Sequence, residues 1–214
     1  MIKNKLKELH TMELVQPIRD TKKIAAMKKH LIGRPFGTRD HLLFTLGINS
    51  GLRISDLLTL KVSDVLDTKG NIKPRIVLRE KKSARQATES KKAKPGKLKD
   101  FPLGDSSIEA IRTHLATLDT SDRRQPLFAS KKGGGAITRQ HAWTILNDAA
   151  EEVGITENIG THTLRKTFGY HAYQSGVPIE SIQAMLNHSS ARETLRYIGI
   201  TRDSLDKVYV TLNL

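Results

Sequence analysis

GLRISDLLTL, residues 51–60, is where the chain changes periodicity. Upstream of it Thr38 opens a segment whose Leu42, Leu43 and Leu46 recur at helical spacing, and Gly51 is the residue type that closes such a helix. Within it a short helix is expected to carry Leu57 and Leu58. Downstream, from about residue 60 to 103, the period falls to two. RIVLRE (75–80) and LKDFPL (98–103) read as two strands of a hairpin joined by a long basic segment.

The remainder of the chain reads as helices with caps. Asp20 precedes Ile24, Met27 and Leu31, a pattern ended by Gly33. Ser106 with Glu109 forms a capping box ahead of Ile108, Ile111, Leu115 and Leu118. Thr138 caps a helix with Ala142, Leu146, Ala149 and Val153 on one face, and Trp143 is expected in the core beside them. Thr161 or Thr163 starts another helix, which ends at Gly176. Pro178 suits a first helical position before Ile179, Ile182 and Leu186. Ser190 with Glu193 makes a second capping box just ahead of Tyr197, and the tail around Leu205, Val208 and Leu212 keeps helical spacing. The expected class is mainly α with one small antiparallel β-hairpin (α+β), without internal repeats.

At 214 residues there is room for one ordinary domain, and 37% hydrophobic residues suffice for one core. Zero cysteines exclude disulfides, thiolate metal sites and a Cys nucleophile. The polar start MIKNKLKELHTMEL does not resemble a signal peptide, no run is long and apolar enough for a membrane span, and a cytoplasmic protein is expected. The net charge of +14 favours a polyanionic partner. It is concentrated: residues 69–100 hold twelve basic residues against three acidic ones. A solvated loop that only keeps the protein soluble is the plainer reading of that segment. A loop of about 15 residues inside a compact domain is otherwise either functional or disordered.

If the partner is a DNA backbone, attack on the phosphodiester builds negative charge on its non-bridging oxygens. The acidic residues are too scattered to hold metal ions against that charge, so no metal or other cofactor is expected. Arginines, whose planar fork binds phosphate oxygens in pairs, are the remaining means. His162-Thr-Leu-Arg165 places two such groups three apart, on one face if helical. Arg53, at the mouth of the glycine-ended helix, has Asp56 three residues on. Leu186-Asn187-His188 is followed by Tyr197.

GLRISDLLTLKVSDV, HTLRKTFGYHAYQSG and IQAMLNHSSARETLRYIGI, in that order, resemble the three boxes of the tyrosine recombinases and phage integrases. The resemblance runs from about residue 20 to 200 and implies the catalytic-domain fold of that family. It also implies roles. Arg53 and Arg165 would clamp the scissile phosphate. His162 would assist proton transfer or hydrogen-bond the phosphate, His188 would donate to a non-bridging oxygen, and Asp56 would hold the site by orienting Arg53. Tyr197 would be the nucleophile that forms a 3′-phosphotyrosyl link, which conserves the bond energy for rejoining. A phenol with a pKa of about 10 is only about one part in a thousand ionised at pH 7, so it needs neighbouring cations or a base. A hairpin lysine would protonate the departing 5′ oxygen. Lys82, followed by Ser83, fits best; Lys81 is the neighbour it could be confused with, since the two point to opposite faces of a strand.

The same resemblance implies double-stranded DNA as partner, four protomers on two DNA sites, and accessory DNA-bending or directionality factors. DNA contacts are expected from Arg79, Lys81, Arg85, Lys91, Lys92, Lys94 and Lys97. The expected layout is an extension (1–19), a catalytic domain (20–202) with a basic loop at 83–97, mobile alone and tracking DNA phosphates when bound, and a tail (203–214) that docks onto a neighbouring protomer. The family's N-terminal core-binding domain has no counterpart in the roughly 20 residues before the first matched helix. His171 is expected to pack in its helix, and Tyr170, Tyr173 and Tyr209 follow no matched histidine at the right interval. Three other readings compete with the recombinase: a non-catalytic basic DNA-binding regulator, a type IB topoisomerase-like enzyme and, lacking ligands, a metal nuclease.

Overall fold

Leu42, Leu43, Phe44 and Leu46 leave a helix no polar side to turn to water, so it has to be central. In the computed structural model, which describes residues 15–80, 96–131 and 133–200, all four are fully buried. The elements in chain order are α1 (Thr21–Ile32), α2 (Gly37–Ser50), α3 (Ile54–Leu57), α4 (Val62–Val65), β1 (Arg75–Arg79), β2 (Leu98–Pro102), α5 (Asp105–Leu115), α6 (Arg139–Glu152), α7 (Thr163–Gln174), α8 (Ile179–Met185) and α9 (Ala191–Tyr197). α2 packs on α1, α5 and α7. Burying side chains of this size contributes about 1.5–3 kcal/mol each, so α2 anchors the fold. α7 approaches closely because residue 47 is glycine: a Cβ there would lie 2.5 Å from Leu164 Cδ1.

β1 and β2 pair antiparallel, with Val77 opposite Asp100 and Leu78 opposite Lys99. Alternation turns Ile76 and Leu78 inward and leaves Val77 exposed. Two apolar clusters result. The large one joins α1 to α6 and the hairpin; the small one, Ile182, Leu186 and Ile198, gathers α8, α9 and the C-terminal half of α7. Among the described residues no helix is long and apolar enough to cross a membrane.

Asp20 and Thr138 cap as expected, accepting from the amides of Lys22 and His141. Thr38 does not cap. α2 begins one residue earlier, behind Phe36 at φ 63°, because the chain turns so tightly that a Cβ on Gly37 would lie 2.2 Å from the Ile32 carbonyl oxygen. The Thr38 hydroxyl instead meets His114 Nδ1 at 3.0 Å. The Ser106/Glu109 box is absent because α5 starts at Asp105 behind Gly104, which puts Ser106 inside the first turn; Glu109 pairs with Arg112. Pro178 is extended (ψ 139°) and precedes α8 instead of opening it. Half of the second box forms: Ser190 Oγ accepts from the Glu193 amide, while the Glu193 carboxylate takes the Ser189 amide and hydroxyl. Trp143 is 42% exposed, since Ala142, Ile145, Leu146 and Ala149 already fill the inward stripe of α6 and residue 143 lies beside it. The expectations for the 1–19 extension before residue 15, for most of the 83–97 loop, for the tail and for Lys81, Lys82, Arg85, Lys91, Lys92 and Lys94 lie outside the described residues.

Candidate active site

Gly51, at φ 61°, ends α2 in the left-handed conformation that glycine adopts without penalty, and the chain turns directly into Arg53 at the N-cap of α3. The Arg53 side chain is 38% exposed. Its Nη1 donates to Glu80 Oε1 at 3.1 Å and lies 3.9 Å from Asp56 Oδ2. Asp56, which the sequence offered as the partner of Arg53, is fully buried beneath it. Glu80 is the nearer carboxylate.

Arg165, on α7, is 2% exposed. Nη1 donates to the Gly51 carbonyl at 2.6 Å and Nη2 to the Leu186 carbonyl. One guanidinium therefore joins the end of α2 to the end of α8. Burial depresses its pKa, with Tyr197, Glu80 and Asp56 opposing, but an arginine stays charged regardless.

His162 stands at the N-cap of α7, with Nδ1 3.3 Å from the Tyr197 hydroxyl. Burial, and then the charges of Arg139, Arg165, Lys166 and Arg53, lower its pKa and hold the ring neutral, so that it can accept a proton. Burial raises the pKa of Tyr197, against Arg165 and Arg53, which favour the phenolate. The nucleophile candidate rests protonated, with an acceptor in reach.

His188 packs edge-on against Tyr197, ring centroids 4.7 Å apart. Its Nδ1 meets Thr194 Oγ1 at 3.1 Å. That hydroxyl already donates to the Ser190 carbonyl, so Nδ1 must be the donor. Donation from the other ring nitrogen then requires the imidazolium, which burial and Arg165 disfavour in the free protein. Arg53, His162, Arg165, His188 and Tyr197, drawn from α3, α7, the α8–α9 turn and α9, thus converge, both arginines acting on each imidazole and on the phenol. Tyr197 brings its phenol there because α9 packs across α8 through Ile198.

Four neighbours escaped sequence reasoning. Glu80 continues the inward parity of Ile76 and Leu78, a signal that was legible. Asn187 (φ 49°) donates from Nδ2 to Glu80 Oε2 at 2.8 Å. Lys166 is buried with Nζ 5.2 Å from the centre of the Tyr197 ring. Lys99, on the inward face of β2, donates to the Met185 carbonyl, and burial and Arg165 lower its pKa. Of the expected DNA-contacting residues, Arg79 donates to the Gly96 carbonyl at 3.2 Å and Lys97 reaches Asn187 Oδ1 at 3.4 Å. His171 packs half-buried, its Nε2 donating to the Ile18 carbonyl. Among the described residues no group of three or more His, Asp or Glu is placed to hold a metal ion.

The model of the phage integrase family matches residues 19–203. The chain is 40% identical over 200 residues to "Probable integrase/recombinase YoeC" of Bacillus subtilis, covering 92% of this chain and 97% of that protein. It is 30% identical over 181 residues to tyrosine recombinase XerD of Corynebacterium glutamicum, covering 83% of this chain and 54% of XerD, so it spans about half the length of that relative. Among solved structures the XerA recombinase superposes with a TM-score of 0.67 at 20% identity, over 93% of this chain and 65% of XerA. The catalytic domain of bacteriophage HP1 integrase does so with a TM-score of 0.53 at 18% identity, over 91% and 94%.

Proposed function

The chain belongs to the phage integrase family and has the fold of a tyrosine-recombinase catalytic domain, and on that premise we propose that it cleaves and rejoins DNA at specific sites through Tyr197. His162 Nδ1 takes the phenolic proton as the oxygen attacks the scissile phosphorus. The bond between phosphorus and the 5′ oxygen breaks, Lys82 gives a proton to that departing oxygen, and a 3′-phosphotyrosyl link remains. Arg53 and Arg165 neutralise the charge gathering on the phosphate, with His188 adding a donor once protonated. Asp56, buried under Arg53, keeps that guanidinium in the pocket. No metal or cofactor takes part.

The observation that carries this reading is the Tyr197 hydroxyl, 3.3 Å from His162 Nδ1 and within the field of two arginines. The XerH recombinase bound to its palindromic difH substrate and the Tn1549 integrase in complex with a circular intermediate DNA, both of similar fold, support DNA as the substrate. Arg79 and Lys97, with Lys81, Arg85, Lys91, Lys92 and Lys94, would follow its backbone. Four protomers on two sites, a 203–214 tail docked in trans, accessory bending or directionality factors and a cytoplasmic location complete the proposal. A nicked suicide duplex carrying a candidate site tests it. The wild-type protein should form a covalent adduct in EDTA, and Tyr197→Phe should form none.

A further inference from the structure

A carboxylate at the mouth of a phosphate pocket repels the ligand the pocket is built for, and Glu80 is such a carboxylate, only 7% exposed. Both its oxygens are used. Oε1 accepts from Arg53 Nη1 at 3.1 Å and Oε2 from Asn187 Nδ2 at 2.8 Å. Its backbone is equally fixed: the amide donates to the Lys97 carbonyl at 2.9 Å, and its own carbonyl oxygen sits where a Cβ on Gly96 would be, 1.7 Å away. Asn187 is the left-handed residue from which the chain turns into His188, and its Oδ1 accepts from Lys97. One side chain therefore connects the hairpin base, the first arginine and the turn that presents the second histidine. These lie 27 and 107 positions from it in sequence.

We propose that Glu80 is a positioning residue for strand transfer, holding Arg53 and the Asn187–His188 turn in register with each other. This rests on the strand-transfer reading above. A mere counter-ion makes a different prediction: removing it would strengthen phosphate binding and speed cleavage together. If Glu80 positions the site, the two move apart. Glu80→Ala should bind nicked duplex DNA as tightly as wild type or more so, yet form adduct about 10–100-fold more slowly, the size of loss that follows from displaced reacting groups. Glu80→Gln should lose less. Its side-chain oxygen can still accept from Asn187 Nδ2, while the charge on Arg53 goes unanswered.

Single-turnover adduct formation and DNA affinity, measured on both variants after thermal melting shows them folded, decide between these. The Asn187 side-chain amide signal in NMR, recorded without DNA, should shift and exchange faster in Glu80→Ala and stay near its wild-type position in Glu80→Gln. If Glu80→Ala does not fold, the Gln variant carries the comparison. Wild-type rates in both variants, a rate that rises with affinity, or an Asn187 signal indifferent to the alanine substitution would each overturn the inference. Should wild-type protein itself form no adduct, the strand-transfer reading fails, and the Asn187 signal still decides whether Glu80 holds that turn.

Discussion

Two imidazoles flank one phenol, and the proposed mechanism needs them in different protonation states. His162 has to be neutral to accept the Tyr197 proton, whereas His188, whose Nδ1–H is committed to Thr194, has to be protonated to donate from its other nitrogen. Burial lowers both pKa values, and an arriving phosphate anion raises that of His188 again. The rate of adduct formation is therefore expected to be bell-shaped in pH. His188→Ala should remove the alkaline limb, and the tightening of DNA binding from pH 8 to 6 that proton uptake implies. His162→Ala should slow the reaction about 10²–10⁴-fold, the usual worth of a proton-transfer group. Arg165→Lys should be worse than its charge suggests, because one ammonium cannot serve the Gly51 and Leu186 carbonyls together. A fall in stability of about 1–3 kcal/mol per orphaned carbonyl, read by urea denaturation, would accompany the loss of adduct. These residues were nameable from sequence because each sits in a short local pattern. Glu80, Asn187 and Lys99 were passed over, although Glu80 follows the inward parity of its strand and Asn187 adjoins His188, because the Lys99–Met185 and Glu80–Asn187 contacts span 86 and 107 positions of chain.

Gly169 shows how a helix pair sets the chemistry. A Cβ there would lie 2.7 Å from Ile198 Cγ2 and 3.1 Å from Leu186 Cδ1, so α7 and the α8–α9 pair meet at the only side-chain size that fits. Gly169→Ala should push Ile198, and with it Tyr197, out of line. Adduct formation is expected to fall by about 100-fold while the melting temperature falls by only a few degrees. Gly51→Ala should cost about 1–2 kcal/mol from its φ of 61° alone, with a Cβ 2.6 Å from the Phe168 ring adding to it. Elements were legible wherever one face is apolar: the strands and the helical stripes stand where periodicity put them. Starts were less so. Thr38, Ser106 and Pro178 each promised a beginning that a neighbouring glycine, or an extended proline, moved by a residue or two, because tertiary turns outrank a cap worth about 1 kcal/mol.

At the scale of the molecule, four histidines, of which His114 is the buried one, act in one direction. His41, His114, His162 and His188 are all held below the ordinary imidazole value of 6.5, burial being the largest cause for each. The unfolded chain takes up protons near that pH and the folded one does not, so stability should fall as the pH drops below about 6.5. Asp40, raised by burial against its pairing with Arg39, works in the opposite sense only at the more acid pH where carboxylates titrate. Chemical denaturation between pH 7.5 and 5 checks the sign. With a charge of +14, DNA binding is expected to be weak and steeply salt-dependent, and an affinity tight and flat between roughly 50 and 200 mM salt would contradict this. The overall class was readable from the change of period read from about residue 60, although α4 (Val62–Val65) is a helical turn inside that stretch. The division into a large and a small apolar cluster was not, because Ile182, Leu186 and Ile198 look in sequence like any other inward stripe.

Arg165 has spent two of its N–H groups on backbone carbonyls, and so cannot rotate to suit what it meets. Arg53, held by side chains instead of backbone and 38% exposed, is the less tightly fixed of the two. The two non-bridging oxygens of a phosphodiester are mirror-related, and a rigid contact on one side with a yielding contact on the other would not treat them alike. Replacing a single such oxygen by sulfur should therefore be tolerated in one stereoisomer of the scissile link and resisted in the other, so that the protein reads the handedness of phosphorus.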